Sequence, residues 1–366
     1  MKSIHGGDIY TAKERLHSDQ LLDFSANINP FGVPDCVQSA ICAAIPQLSH
    51  YPDPNQTMLT NALAAYHHVQ SQQIICGNGG ADVLFRTVQA IHPKHVVIPV
   101  PTFSEYGKAL EENGCSVTYW KMPEPFVLTE SFLTELQTGK YDFLVLCNPN
   151  NPTGSLLSTS LLQKILTLTV QKKIFVLLDE CFCDMTETAF QSSMIATCND
   201  YPNLFILKSM TKRYAIPGLR LGYGICANTA LAEQIRQTGQ PWSVNTLASV
   251  AGCAALQDIA YQQQFQQFLQ TERWFLYHAL QELGFTVWEP AANFVFFHAK
   301  QFHDLENELL PYHILLRNCG NYRGLDDTYY RVAVRKREEN IFLLQCLKEI
   351  VQKKSGGNLC EQNLSW

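Results

Sequence analysis

Residues 74 to 91 read "IICGNGGADVLFRTVQAI". The run is apolar from Ile74 to Cys76, turns on Gly77, Gly79 and Gly80, and then places Ala81, Leu84, Val88 and Ile91 on one face of a helix. A short apolar run, a glycine turn and a helical period make the strand, loop and helix of an α/β protein. Such a turn leaves the first backbone N–H groups of the helix free at the positive end of its dipole, where phosphate binds. The spacing departs from GxGxxG because Asp82 holds the sixth position, and no GxxxxGK occurs, so neither the dinucleotide fingerprint nor the nucleotide P-loop is present. On its own the stretch reads equally as a tight turn or as a phosphate cup.

The same rhythm continues outward. "HVVIPVP", "FLVLCNP", "IFVLLDE" and "LFILKS" are apolar throughout, and each leads into a polar or amphipathic stretch. Strands apolar on both faces belong to a mostly parallel sheet covered by helices, with ligands expected beyond the strands' carboxyl ends. Between Val244 and Leu283 the texture becomes that of long helices, with Gly284 as a C′ residue. "TVWEP", "NFVFFHA", "HILLRNC" and "YYRVAVR" then predict short strands, followed by a last helix through about Val351. The expected fold is therefore a large α/β domain, residues 45–243, followed by inter-domain helices and a smaller α+β domain over residues 244–354. Residues 1–44 are expected to form an N-terminal arm, largely loop, and part of the small domain, and residues 355–366 a frayed tail.

Composition excludes several classes of partner. The 366 residues are 46% hydrophobic and 16% charged, enough for one large or two moderate cores. A net charge of −6 gives no basic footprint for nucleic acid, and no run reaches the roughly 18 apolar residues needed to span a bilayer. Lys2 has no apolar stretch behind it, so no secretory leader is expected and the predicted location is the cytoplasm. The thirteen cysteines are dispersed and read as reduced thiols, with Cys181-Phe182-Cys183 alternating like a buried strand end. No pairing of cysteines and histidines has ligand spacing, so no metal site is expected.

Three further segments follow strands and carry chemistry. "CNPNNPTG", Cys147 to Gly154, has turn composition, and within it Asn151 is the candidate neutral donor. Asp179-Glu180 ends an apolar run, where a carboxylate needs a cap, a cationic partner or a protonated ring nitrogen. "KSMTKRYAIPGLRLG", residues 208–222, offers the hydroxyls of Ser209 and Thr211 and the guanidinium of Arg220 for a dianionic phosphate. Neighbouring cations favour the free amine of Lys212, the form that makes a Schiff base. Phosphate cup, amide donor, acidic partner and lysine amine together suit one cofactor: an aldehyde bearing a pyridine nitrogen, a phenolic oxygen and a phosphate, which is pyridoxal 5′-phosphate.

At these motifs the chain resembles the fold-type I pyridoxal-phosphate enzymes of the aminotransferase class I/II family, over nearly its whole length. The eight-residue step from Lys212 to Arg220, with Ser209 three before the lysine, matches that family's cofactor segment, and "NPNNPTG" and "DE" match its Asn and Asp positions. The resemblance implies that backbone amides of Gly79, Gly80 and Ala81 hold the cofactor phosphate and that Phe103 of "PTF" stacks on the ring. It implies a homodimer with shared active sites, in which Tyr51 of "YPDP" reaches the neighbouring subunit's phosphate. One position departs from the family: Phe182 stands three after the Asp, where many aminotransferases have a Tyr that donates to the phenolic oxygen, which leaves Asn151 as the donor.

The ends of the chain resemble the branch of that family that decarboxylates threonine O-3-phosphate for cobalamin nucleotide-loop assembly. The residues that carry this are "HGG" at His5–Gly7, "DFSANINPFG" at Asp23–Gly32, "KRYAIPGLRLGY", and "RNCGNYRGL" followed by "YYRVAVR". By this resemblance Arg331 clamps the substrate α-carboxylate, and Arg317, His5 and Asn29 hold the substrate phosphate, with Arg335 a further candidate and Asn151 shared between cofactor and substrate. The implied substrate is a phosphorylated amino acid, and the implied product of threonine phosphate is an aminopropanol phosphate. Phosphoserine, which would give ethanolamine phosphate, lacks only a methyl group, worth about 1–3 kcal/mol of discrimination. The alternative is an aminotransferase acting on an amino phosphate such as histidinol phosphate. A non-catalytic member of the fold would be expected to lack the lysine or the aspartate, and both are here.

Overall fold

The computed structural model describes residues 5–354; the tail of residues 355–366 lies outside the described residues. In chain order the strands are β1 (Leu22–Asp23), β2 (Ile74–Asn78), β3 (His95–Val100), β4 (Ser116–Lys121), β5 (Phe143–Cys147), β6 (Phe175–Asp179), β7 (Leu204–Ser209), β8 (Leu221–Cys226), β9 (Thr286–Val287), β10 (Phe294–His298), β11 (Ile314–Leu315), β12 (Arg317–Asn318) and β13 (Tyr329–Ala333). Strands β2 to β8 form one sheet in the order β2-β8-β7-β6-β5-β3-β4. Within it β4, β3, β5, β6 and β7 are parallel, and β8 runs antiparallel to both neighbours.

The apolar runs of the central strands are explained by two cores, one on each face. Phe143, Val145 and Cys147 of β5, Leu177 of β6 and Phe205 and Leu207 of β7 enter one cluster. Their alternates, Leu144 and Leu146, Val176 and Leu178, and Leu204 and Ile206, enter the other. The first face is covered by the helices Gly79–Ile91 and Ser104–Glu112, through Val83, Leu84, Val88, Tyr106 and Leu110. The second is covered by Thr159–Lys172 and Thr246–Gln257, through Leu162, Ile165, Leu166, Ala248 and Ala251. With helices on both faces, a strand has no polar side to show.

Two strands of this sheet are not apparent as strands in the sequence. β4 is the exposed edge, alternating exposed and half-buried residues, and so lacks an apolar run. β8 reads "LGYGIC", and glycine weakens a strand signal. Its glycines are there for close approach. A Cβ on Gly222 would lie 2.3 Å from the Gly80 nitrogen, and one on Gly224 would lie 2.1 Å from the Phe205 ring.

The second unit is a four-stranded antiparallel sheet, β12-β13-β10-β9, against the helix Ile259–Glu282, which ends before Gly284 at φ +87°. "HILLRNC" divides between two sheets: β11 pairs with β1, and β12 pairs with β13. The N-terminal stretch is more regular than expected, with helices Ile9–Leu16 and Asp35–Ala44 flanking β1. Polar and small residues hid their period. Cys181-Phe182-Cys183 is also not a strand end; the chain turns after Asp179 and enters a short helical turn at Cys183–Met185. All cysteines among the described residues are free thiols. No helix among them is long and apolar enough to cross a membrane.

Candidate active site

Chain order reverses between β3 and β5, and the crevice beyond the carboxyl ends of such strands is where α/β sheets bind ligands. A cavity of about 610 Å³ lies there. Its walls come from the turn after β2, the "PTF" segment after β3, the loops after β5, β6 and β7, and the N-terminal arm.

The glycine turn forms one end. The helix Gly79–Ile91 starts at Asn78, whose side chain makes no cap hydrogen bond, while Asp82 accepts from the Asn78 N–H. Gly80 and Ala81, at the amino end of this helix, line the cavity. Gly79 has φ +85°, and a Cβ there would lie 2.6 Å from the Arg220 guanidinium, so glycine lets the arginine close over the turn. Ser209 and Thr211 Oγ atoms lie 2.8 Å apart in the same wall, both buried. Helix end, two hydroxyls and a guanidinium converge into a cup of donors suited to an anion.

The two lysines of "KSMTK" have different environments. Lys208 is fully buried and donates to Asp184 at 2.6 Å, with Glu180 at 3.7 Å. Burial opposes its charge, but Asp184 and Glu180 outweigh that and hold it protonated, well above the ordinary lysine range. Lys212 lines the cavity, half-buried, with its Nζ 3.4 Å from Ser209 Oγ and 5.2 Å from the centre of the Phe182 ring. Its amine faces the cavity, with the anion cup beside it.

The acidic pair divides in the same way. Glu180, fully buried, takes Lys208 as its cation and accepts from Ser193 Oγ and the Met194 N–H. Asp179 is bound by neutral donors: Tyr106 O–H to Oδ2 at 2.5 Å and Cys181 N–H to Oδ1 at 2.8 Å. An ionised carboxylate so placed, lining the cavity, suits a cationic ligand atom. Burial and the Asp179 charge push the Tyr106 phenol well above its usual range, so it stays a donor. The two cavity thiols are also held protonated by burial, Cys147 up to about 12 and Cys181 well above its usual range, and neither competes with Lys212 as a nucleophile.

Of the three asparagines in "NPNNPTG", Asn151 lines the cavity. Asn148 accepts from the Leu157 N–H, and Asn150 ties the loop to Pro101, Thr102 and Thr153. Asn151 Oδ1 accepts from Arg331 Nη1 at 2.5 Å and from Tyr322 O–H at 3.2 Å. Phe103 also lines the cavity, with its ring edge-on to Tyr106.

Arg331 and Arg317 stand opposite one another across β13 and β12, both buried. Directly opposed like charges destabilise a sheet, so the pair suits anions. Arg331 Nη2 also donates to the Ser25 carbonyl, Ser25 Oγ donates to Asp23, and the Gly7 N–H donates to Ser25 Oγ. A Cβ on Gly6 would lie 2.2 Å from that same carbonyl. Ser25 is thus where "HGG", "DFSANINPFG" and "YYRVAVR" meet, three segments distant in sequence.

Of the other expected site residues, His5 lines the cavity and the rest lie apart from it. Arg317 binds Asn321 and lies over the Tyr322 ring, outside the cavity wall. His5 reaches the cavity mouth and pairs with Glu105 at 3.1 Å. The Asn29 amide donates to the Arg213 carbonyl and Tyr261 O–H, which hold it against the loop after β7 rather than in the cavity. Arg335 binds the Asp23 carbonyl and Glu339, also outside the cavity. Tyr51 is 79% exposed on the surface, stacked on Trp242. Tyr106 and Tyr322 were not singled out in the sequence. Tyr106 carries a signal, standing one helical turn after Phe103, while the role of Tyr322 depends on contacts between units.

Comparison with known proteins adds to this geometry. A family model for aminotransferase class I and II matches residues 19–344. The chain is 41% identical over 357 residues to the threonine-phosphate decarboxylase of Salmonella typhimurium, an alignment covering 95% of this chain and 97% of that protein. Among solved structures, the histidinol-phosphate aminotransferase from Clostridium acetobutylicum superposes with TM-score 0.86 at 31% identity, covering 91% of this chain and 100% of that one. The L-threonine-O-3-phosphate decarboxylase from Porphyromonas gingivalis gives TM-score 0.79 at 26% identity, covering 90% and 99%.

Proposed function

The chain belongs to the aminotransferase class I and II family, and on that premise we propose that it is a pyridoxal-phosphate-dependent decarboxylase of an O-phosphorylated amino acid, threonine O-3-phosphate first. The observation that carries the reading is the opposed pair Arg317 and Arg331 beside a cavity that already has an anion cup of its own. A phosphorylated amino acid brings two anionic groups, a carboxylate and a phosphate, whereas histidinol phosphate brings one. The 41% identity to a threonine-phosphate decarboxylase supports the same choice.

The residues fit the cofactor. Gly80 and Ala81 at the helix end, Ser209, Thr211 and Arg220 suit its phosphate, with Gly79 leaving room for the arginine. Asp179, with neutral donors on both oxygens, suits its ring nitrogen, Asn151 its phenolic oxygen, Phe103 its ring and Lys212 its aldehyde. When bound, pyridoxal phosphate supplies an aldehyde for the substrate amine and a ring that accepts the electrons of the broken bond at Cα.

The chain's own residues then decide which bond breaks. In our reading Arg331 holds the α-carboxylate, and His5 and Arg317 serve the phosphate, while Asn29 and Arg335, held by other partners outside the cavity, do not take part. Anchoring the substrate at both ends would fix its rotation about the amine, and with it which bond at Cα the cofactor's ring could break. With the cofactor bound, Asp179 would hold a proton on the ring nitrogen, and Lys212 or water would supply the proton that Cα takes up in place of CO₂. Each turnover takes up one proton and releases one CO₂. In our reading the enzyme acts as a cytoplasmic homodimer, with Tyr51 reaching the phosphate cup of the neighbouring subunit.

The test is incubation with pyridoxal phosphate and phosphothreonine, without a keto acid. The proposal expects stoichiometric CO₂ and aminopropanol phosphate. Absence of CO₂, with histidinol phosphate converting the cofactor to its amine form, would establish the aminotransferase instead. Phosphoserine in a parallel reaction measures how much the β-methyl group contributes.

A further inference from the structure

Phe182 carries no hydroxyl at the position where a phenol donor is missing, and its ring packs edge-on against Phe294 with Lys212 Nζ 5.2 Å from its centre. A phenol does reach the neighbourhood, from the other unit. Tyr322, in the turn after β12, is 5% exposed, lines the cavity and donates its hydroxyl to Asn151 Oδ1 at 3.2 Å. Arg331 Nη1 donates to the same oxygen. Both partners present hydrogens there, and an amide oxygen is the end that can accept them. The opposite end of the amide, Nδ2 with its two hydrogens, is thereby turned away from Tyr322 and Arg331.

We propose that Tyr322 is a positioning residue for Asn151: its hydroxyl shares Oδ1 with Arg331 and so commits Nδ2 to donating to the cofactor's phenolic oxygen. The inference rests on the pyridoxal-phosphate reading above. Tyr322 thus compensates for Phe182 indirectly, through Asn151 and without touching the cofactor. Arg317 lies over the Tyr322 ring, 5.4 Å from its centre, so the side chain that aims Asn151 is also in contact with a candidate phosphate clamp. The cavity lining carries Arg331, Asp179, Lys212, Arg220, Asp23, His5 and Glu105, and Arg317 lies over the Tyr322 ring. Tyr322→Phe leaves all of these in place and keeps the ring under Arg317.

A hydrogen bond donated to the phenolic oxygen stabilises its negative charge and eases loss of the proton it shares with the lysine nitrogen. Loosening Asn151 therefore raises the midpoint of the visible-absorbance pH titration of the cofactor-loaded, substrate-free protein. It also weakens cofactor binding by about threefold to tenfold, the scale of one neutral hydrogen bond. The experiment measures midpoint and cofactor dissociation constant for wild type, Tyr322→Phe, Asn151→Ala and the double variant. If Tyr322 acts through Asn151, Tyr322→Phe shifts both quantities in the wild-type background and neither in the Asn151→Ala background. Additive effects, or a Tyr322→Phe protein that titrates like wild type, overturn the proposal. A wild-type protein that shows no cofactor band at all overturns the underlying reading and this inference with it.

Discussion

Tyr106→Phe removes one oxygen atom from a fully buried side chain. That oxygen is the donor to Asp179 Oδ2; the Cys181 N–H serves the other carboxylate oxygen and remains. Asp179 is itself only 6% exposed, so water does not freely replace the lost phenol. A hydrogen bond to an ionised group contributes about 1.5–3 kcal/mol, and the cofactor-free variant should be destabilised by that amount. The equivalent is a factor of about 10 to 150 in the unfolding equilibrium. The assay is urea unfolding of the cofactor-free protein, followed in parallel by far-UV circular dichroism and tryptophan fluorescence to check that the transitions coincide. Repeating it with saturating pyridoxal phosphate should narrow the gap, because the ring nitrogen brings a second donor to the same carboxylate. A cofactor-free gap below about 0.5 kcal/mol, within the range of ordinary surface substitutions, would refute the reasoning by showing that Asp179 does not depend on Tyr106.

Gly222→Ala places a Cβ 2.3 Å from the Gly80 nitrogen, which neither backbone can avoid without moving the turn. We expect at least about a tenfold rise in the cofactor dissociation constant, the cost of one or more displaced phosphate contacts, read by fluorescence titration; an unchanged constant would show that the turn does not hold the phosphate. His67 Nε2 lies 2.8 Å from Tyr223 O–H, and burial first, then the nearby Lys208 charge, lowers its pKa to about 4. The unfolded chain then binds one more proton than the folded one between about pH 6.5 and 4. The group's contribution is thus present above pH 6.5 and lost on acidification, at up to about 1.4 kcal/mol per pH unit. His67→Gln should flatten the wild-type loss of stability over that interval, and identical pH slopes for the two proteins would contradict it.

The large domain was legible because its strands are buried on both faces: "FLVL", "FVLL" and "LFIL" cannot be anything but covered strands once helical stretches separate them. β4 and β8 were hidden for opposite reasons, one because it borders solvent and the other because Gly222 and Gly224 are demanded by neighbours that the local sequence does not name. The cavity-lining residues Ser209, Thr211, Lys212 and Asp179 were legible because each sits within a few residues of a strand's end, where local sequence implies position. The substrate side was readable only by resemblance, and the geometry sorts it. Arg331 reaches the cavity, while Asn29 and Arg335 are held by Arg213, Tyr261, Asp23 and Glu339. What no local reading supplies is the meeting of Gly7, Ser25 and Arg331, or of Tyr322 with Asn151. These contacts join residues 18 to 306 positions apart.

The central claim is that Lys212, and not the fully buried Lys208 four residues earlier, holds the cofactor. Borohydride reduction of the protein loaded with pyridoxal phosphate, followed by peptide mapping, tests it. The account predicts one label per chain on Lys212, none on Lys208, and no fixed label in Lys212→Ala. A label on any other lysine, or a Lys212→Ala protein that retains both a reducible cofactor and full turnover, would contradict it.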